Sequence, residues 1–99
     1  MNVVRRLTLA AVVLAQSHIL EKMDDDFAAM YVALRSQFAL ALVKPFEDNR
    51  IEITYKDSTV SIEKAGKKYR VKTPENKKGK LCARLIDVRY FLEDYFDAK

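Results

Sequence analysis

Apolar and polar positions along the chain change their spacing twice. Val12, Ala15, Ile19 and Met23 follow one another at intervals of three and four, with Gln16 and Ser17 off the stripe. That spacing predicts a helix over residues 3–22. Phe27, Tyr31, Leu34, Phe38 and Ala41 continue at intervals of four and three and predict a second helix over 25–43. Asp24-Asp25-Asp26 stands at its start, where one carboxylate caps free N–H groups and its neighbours suit the positive helix end. Lys44-Pro45 ends it, because the residue before proline is pushed out of the α region. From Arg50 the spacing drops to two. Ile51, Ile53 and Tyr55, then Val60 and Ile62, then Tyr69 and Val71 alternate with polar residues, predicting strands over 50–56, 59–64 and 67–73. Two-residue turns at Asp57-Ser58 and Ala65-Gly66 set a register with Tyr55 opposite Val60 and Ile53 opposite Ile62. Across the second hairpin, Ile62 then faces Tyr69 and Val60 faces Val71. Pro74–Lys80 reads as a basic loop. Leu81, Leu85, Val88, Leu92 and Phe96 predict a last helix over 81–97. The alternative is a short fourth strand over 81–85, with Asp87 capping a helix that starts at Val88.

The expectation is one α+β domain over residues 1–99, ordered ααβββα, with a three-stranded antiparallel meander and all helices on one sheet face. The other face, with Glu52, Thr54, Lys56, Ser61, Glu63, Lys68, Arg70 and Lys72, is left to water or a polar partner. Three strands at about 4.8 Å spacing leave room for two helices at about 8–10 Å, so one helix overflows. The N-terminal helix is apolar around most of its circumference, and Leu7, Ala11, Leu14 and His18 are its candidate interface for a homodimer or another protein. Arg5-Arg6 followed by Leu7–Ala15 also has the parts of a short secretory signal cut after Ala15. The stripe that runs on to Met23 favours a structural helix and a cytoplasmic protein, the alternative being a secreted one. An apolar run this short does not cross a hydrocarbon core of about 30 Å.

Composition removes several chemistries. One Cys among 99 residues excludes an intrachain disulfide, and with one His it leaves no zinc set. No phosphate-binding glycine loop, dinucleotide fingerprint or serine elbow occurs. Cys82 stands amid Lys78, Lys80 and Arg84, which favour a thiolate, but nothing in the sequence brings His18 to it as a base. Glu93, Asp94 and Asp97 read as a solvated helix end. No enzyme, cofactor or metal site is expected.

The net charge of +4 conceals a strong asymmetry. Residues 64–84 hold nine basic side chains, Lys64, Lys67, Lys68, Arg70, Lys72, Lys77, Lys78, Lys80 and Arg84, against one acid, Glu75. The flanking segments each carry a small acidic surplus. A basic strip of this kind is the footprint expected for nucleic acid or another polyanion. Tyr55 and Tyr69 alternate inward, so contact would be to backbone and shape, not to bases. Two other readings compete. Lysines on an edge strand also prevent edge-to-edge pairing. Alternatively, the chain is a protein–protein interaction module (inhibitor, adaptor or assembly subunit) that uses its apolar helices and docks an acidic partner on the patch.

Overall fold

Strict alternation of side chains is what organises the sheet. A computed structural model describes residues 19–99. Residues 19–22 are helical. There follow α1 (Asp25–Gln37), β1 (Leu42–Phe46), β2 (Arg50–Tyr55), β3 (Ser58–Ala65), β4 (Lys68–Thr73), β5 (Asn76–Cys82) and α2 (Leu85–Asp97). The strands form one five-stranded sheet in chain order, each antiparallel to the next. The α+β class stands, but the expected ααβββα order with a three-stranded meander is corrected to ααβββββα.

Val43, Ile51, Ile53, Val60, Ile62, Tyr69, Val71 and Cys82 are buried apolar positions of the sheet, joined by Pro45, Ser58 and Thr73. Cα pairing puts them on one face, with Val43 opposite Ile53, Ile53 opposite Val60, and Ile62 opposite Val71. Both α1 and α2 lie on that face. Phe27, Met30, Tyr31 and Leu34 come down from α1, and Val88, Leu92 and Phe96 from α2, to close one core. Met23 is buried in it, and Ile19 and Leu20 pack against its margin. The N-terminal positions Leu7, Ala11, Leu14 and His18 lie outside the described residues, as do the rest of the expected 3–22 helix and the signal alternative.

The register differs from expectation by two residues in both central hairpins, for one reason. The turns are Lys56-Asp57 and Gly66-Lys67, each displaced by one position from the expected pair, so Ile53 faces Val60 and Ile62 faces Val71. Lys56 (φ 50°) and Asp57 (φ 63°) are both left-handed, as a two-residue hairpin turn of mirror-image type requires. A shift of two keeps every residue on its own face, which is why the inward set was read correctly despite the wrong partners.

The two edge strands were not expected. The second helix was read to residue 43 but ends at Gln37, where Phe38 leaves helical geometry (φ −116°, ψ 66°). Leu42-Val43 then opens β1. Pro45 sits opposite Ile51, a position whose nitrogen points away from β2, so the missing donor falls on the open edge. At the other end, the segment expected as a basic loop and the first turn of a helix is β5. Its ladder with β4 is irregular between Val71 and Thr73. There the backbone N–H of Asn76 donates to Thr73 Oγ1 (3.0 Å) and that of Gly79 to Asn76 Oδ1 (3.2 Å). Arg84 precedes α2 in extended geometry, so the alternative of a fourth strand and a shorter helix came nearer than the helix over 81–97.

Gly66 and Gly79 separate two kinds of glycine requirement. Both have positive φ (65° and 87°), but a Cβ at Gly66 meets nothing within 4 Å, while one at Gly79 falls 2.6 Å from Arg70 Cγ. Gly66→Ala is expected to cost about 1–2 kcal/mol, the left-handed penalty alone. Gly79→Ala is expected to cost more, because the Arg70 and Lys72 stems must also move. Urea unfolding of both variants checks this, and equal losses would contradict it.

Candidate polyanion-binding face

The nine basic residues singled out from sequence do not form one patch. Strand parity sends Lys68, Arg70 and Lys72 to the sheet face away from α1 and α2, and Lys64 and Lys80 to the helix side. Lys64 is taken by α1, with Nζ 2.9 Å from Asp26 Oδ2 and 3.5 Å from Asp24 Oδ2. Lys80 reaches over the Phe91 ring of α2 at 5.2 Å. Arg84 pairs with Asp87 at 3.1 Å in the first turn of α2. On the outer face, Glu63 holds Lys72 at 2.8 Å and Arg70 at 3.9 Å. Arg70 also donates to the Lys78 carbonyl across the β5 irregularity, at 3.0 Å. Among the described residues, no carboxylate pairs with Lys67, Lys68, Lys77 or Lys78. Lys67-Lys68 marks the β3–β4 hairpin end, and Lys77-Lys78 the opposite end of the β5 edge.

The outer face continues onto strands whose cations were not counted. Lys44, Phe46 and Arg50 share it on β1 and β2. The Arg50 guanidinium lies 3.9 Å from the Phe46 ring centre and Lys44 Nζ lies 5.3 Å from it. Arg50 also meets Glu52 and, at 3.6 Å, Asp48. Alternation around Arg50 carried the signal for that residue. Lys44 was hidden because its strand was read as the end of a helix. Across the middle, Thr54 and Thr59 hydroxyls share a hydrogen bond of 2.9 Å. No described helix covers this face, whose strand residues number five cations (Lys44, Arg50, Lys68, Arg70 and Lys72) against the carboxylates Glu52 and Glu63.

Two polar clusters hold the described helices to the opposite face. Asp26 Oδ2 receives Lys64 Nζ and, at 2.7 Å, the Tyr69 hydroxyl, while Oδ1 receives the Phe27 N–H at 3.0 Å. The aspartate run was expected to serve its own helix end. Asp24 is the N-cap but makes no side-chain cap bond, and Asp26 instead ties α1 to β3 and β4. Burial works to raise the Asp26 carboxyl, but the bonds from Lys64 and Tyr69 outweigh it and hold it below the ordinary range. Burial, then the bond to Asp26, pushes the Tyr69 phenol up. At the other end of the sheet, Tyr95 of α2 donates to Glu75 at 2.8 Å and therefore accepts from the buried Ser58 hydroxyl at 2.7 Å. Lys99 closes on Glu75 at 2.6 Å, and this bond first, with that from Tyr95, draws the Glu75 carboxyl down.

Cys82 is not in a helix but at the inner end of β5, buried, and burial pushes its thiol up despite Lys80 nearby. It is protonated at neutral pH and is not poised as a nucleophile. Among the described residues no group of three or more His, Cys, Asp or Glu is placed to hold a metal ion, and no helix is long and apolar enough to cross a membrane. No family model, curated protein or solved structure matches the chain.

Because the folded Asp26 carboxyl lies below its ordinary value, the unfolded chain binds that proton more readily. The linked stability is present above the ordinary carboxylate pKa and is lost as pH falls through the folded value. Asp26→Asn is expected to lower stability at pH 7 by about 1 kcal/mol, a hydrogen-bonded charge discounted for partial exposure. It should also flatten part of the decline below pH 4. Thermal unfolding of both proteins between pH 2 and pH 7 measures this, and superimposable acid limbs would contradict it.

Proposed function

We propose that this is a non-catalytic binding protein that contacts a nucleic-acid backbone along the outer sheet face and the adjoining β4–β5 edge. The observation that carries the reading is the excess of cations on a sheet face that no described helix covers. Lys67, Lys68, Lys77 and Lys78, which no carboxylate neutralises, extend that excess to both ends of the edge. Lys72 and Arg70 belong to the same surface. Their pairs with Glu63 lie at the surface with all three side chains half-buried, and surface ion pairs contribute only about 0–1 kcal/mol, so phosphate oxygens can replace the carboxylate at small cost. The aromatic on this face, Phe46, is already covered by Arg50, and bases would gain no open ring to stack on. Recognition is therefore by backbone charge and shape. A cytoplasmic location goes with the reading, since nucleic acid is its polyanion.

Fluorescence anisotropy with a labelled 20-base-pair duplex and an equal single strand, each across 50–200 mM salt, tests it. Log affinity should fall linearly with log salt, with a slope of about −0.9 per duplex phosphate neutralised. Replacing Lys67, Lys68, Lys77 and Lys78 together by Glu should weaken binding at least about tenfold and reduce the slope. Circular dichroism should show the variant folded, because none of the four takes part in an ion pair of the fold. Absence of wild-type binding at 50 mM salt, or binding by the folded variant equal to wild type, would overturn the reading.

A further inference from the structure

The end of α2 carries a surface of opposite sign. A groove of about 390 Å³ opens between the turn that follows α1, the end of β2 and the last turns of α2. Its floor is aromatic: Phe38 and Tyr55 each meet Phe96 edge to face, at 5.8 and 5.7 Å between ring centres. Leu40, on its wall, is 88% exposed, the most exposed large apolar side chain among the described residues. Glu93 and Asp97 supply the rim.

Those two carboxylates are placed against their own helix. They stand four residues apart on α2, a spacing at which like charges repel. They also occupy the terminus where the helix dipole is already negative, and the last turn of α2 contains no basic residue. Lys99, just after Asp97, is committed to Glu75, and Arg89, one turn before Glu93, donates to Gln37 Oε1 at 2.8 Å. Glu93 accepts one hydrogen bond from Gln37 Nε2 at 3.3 Å. Among the described residues Asp97 has no hydrogen-bond or ion-pair partner. An apolar floor, a rim whose Asp97 carboxylate has no partner among the described residues, and a helix end with no basic residue in its last turn all favour the same ligand chemistry, an apolar side chain accompanied by a cation.

We propose that this groove docks a segment of a protein partner in which a large apolar residue lies beside Lys or Arg. The apolar side chain covers Leu40 and the Phe38–Phe96 floor, and the cation sits between Glu93 and Asp97. The surface is distinct from the basic face and repels the polyanion that the basic face attracts, so the two sites can be occupied independently. It does not require that nucleic acid bind at all.

A phage-displayed library of 12-residue peptides panned against the full chain tests the assignment, followed by titration of the enriched peptide into labelled protein. Enriched sequences should carry an aromatic or aliphatic residue within three positions of Lys or Arg. Their amide shifts should centre on Phe38–Ala41, Tyr55 and residues 93–97. Glu93→Lys combined with Asp97→Lys should weaken the peptide at least about tenfold. That variant should remain folded by circular dichroism, because both side chains are exposed and cations suit the negative end of the helix dipole. Leu40→Ser provides a second variant that removes no buried contact. The proposal is overturned if no such sequence is enriched, if enriched peptides are acidic, if shifts map elsewhere, or if both folded variants bind as tightly as wild type.

Discussion

The described helices of this protein have one apolar surface to lie on, the inner face of a meander whose strands all follow one another in sequence. Val43, Ile51, Ile53, Val60, Ile62, Tyr69 and Val71 supply that surface, and each takes its place from a period-two pattern held by tight turns. Burying it against Phe27, Met30, Leu34, Val88 and Leu92 removes enough apolar area from water to be the dominant stabilising term. The polar clusters at the ends add direction rather than bulk. Asp26 with Lys64 and Tyr69 fixes the start of α1, and Tyr95 with Ser58 and Glu75 fixes the later part of α2. Both described helices are committed to one face, and the other carries mostly charged and hydroxyl side chains, with Leu42, Phe46 and Leu81 among them.

That division also sorts the charges. A net value of +4 says little, because the cations belong to different environments. Lys64, Lys80 and Arg84 work within the fold, on a carboxylate pair, an aromatic ring and a helix start. Lys68, Arg70 and Lys72, joined by Lys44 and Arg50, face outward on one sheet. The acids are sorted as well: Asp26, Glu63, Glu75 and Asp87 answer cations of the fold, whereas Glu93 and Asp97 gather at a helix end whose last turn holds no basic residue. Two surfaces of opposite sign result, one broad and polar, the other a small groove with an aromatic floor.

How much of this could be read from residues alone depended on where each residue sat. The inward positions of the three central strands were legible, because two covered neighbours and one buried face enforce alternation. Turn placement was off by one at Lys56-Asp57, where Lys adopts a left-handed conformation that its chemistry does not advertise. The edge strands were illegible for a physical reason. An exposed edge is kept from pairing with other chains by proline, lysine and irregular hydrogen bonding, and these are also the marks of a loop. Pro45 in β1, and Lys77, Lys78 and Gly79 in β5, therefore disguised both strands. The basic run was correctly located in sequence, but its division between two faces needed the register, and the role of Asp26 needed the fold to bring Tyr69 beside it. The acidic groove was not anticipated, because its floor joins Phe38, Tyr55 and Phe96 from three separate stretches of the chain.

The central claim is that the uncovered sheet face, and not the helices, is where a polyanion lands. Amide chemical-shift mapping of the full labelled chain with an unlabelled nucleic-acid duplex at 50 mM salt tests it most directly. Shifts concentrated on Lys44, Arg50, Lys68, Arg70, Lys72 and the β5 edge, with α1 and α2 unmoved and the spectrum restored at high salt, are the expected result. Shifts confined to the helices, or none at protein concentrations of hundreds of micromolar, would contradict it.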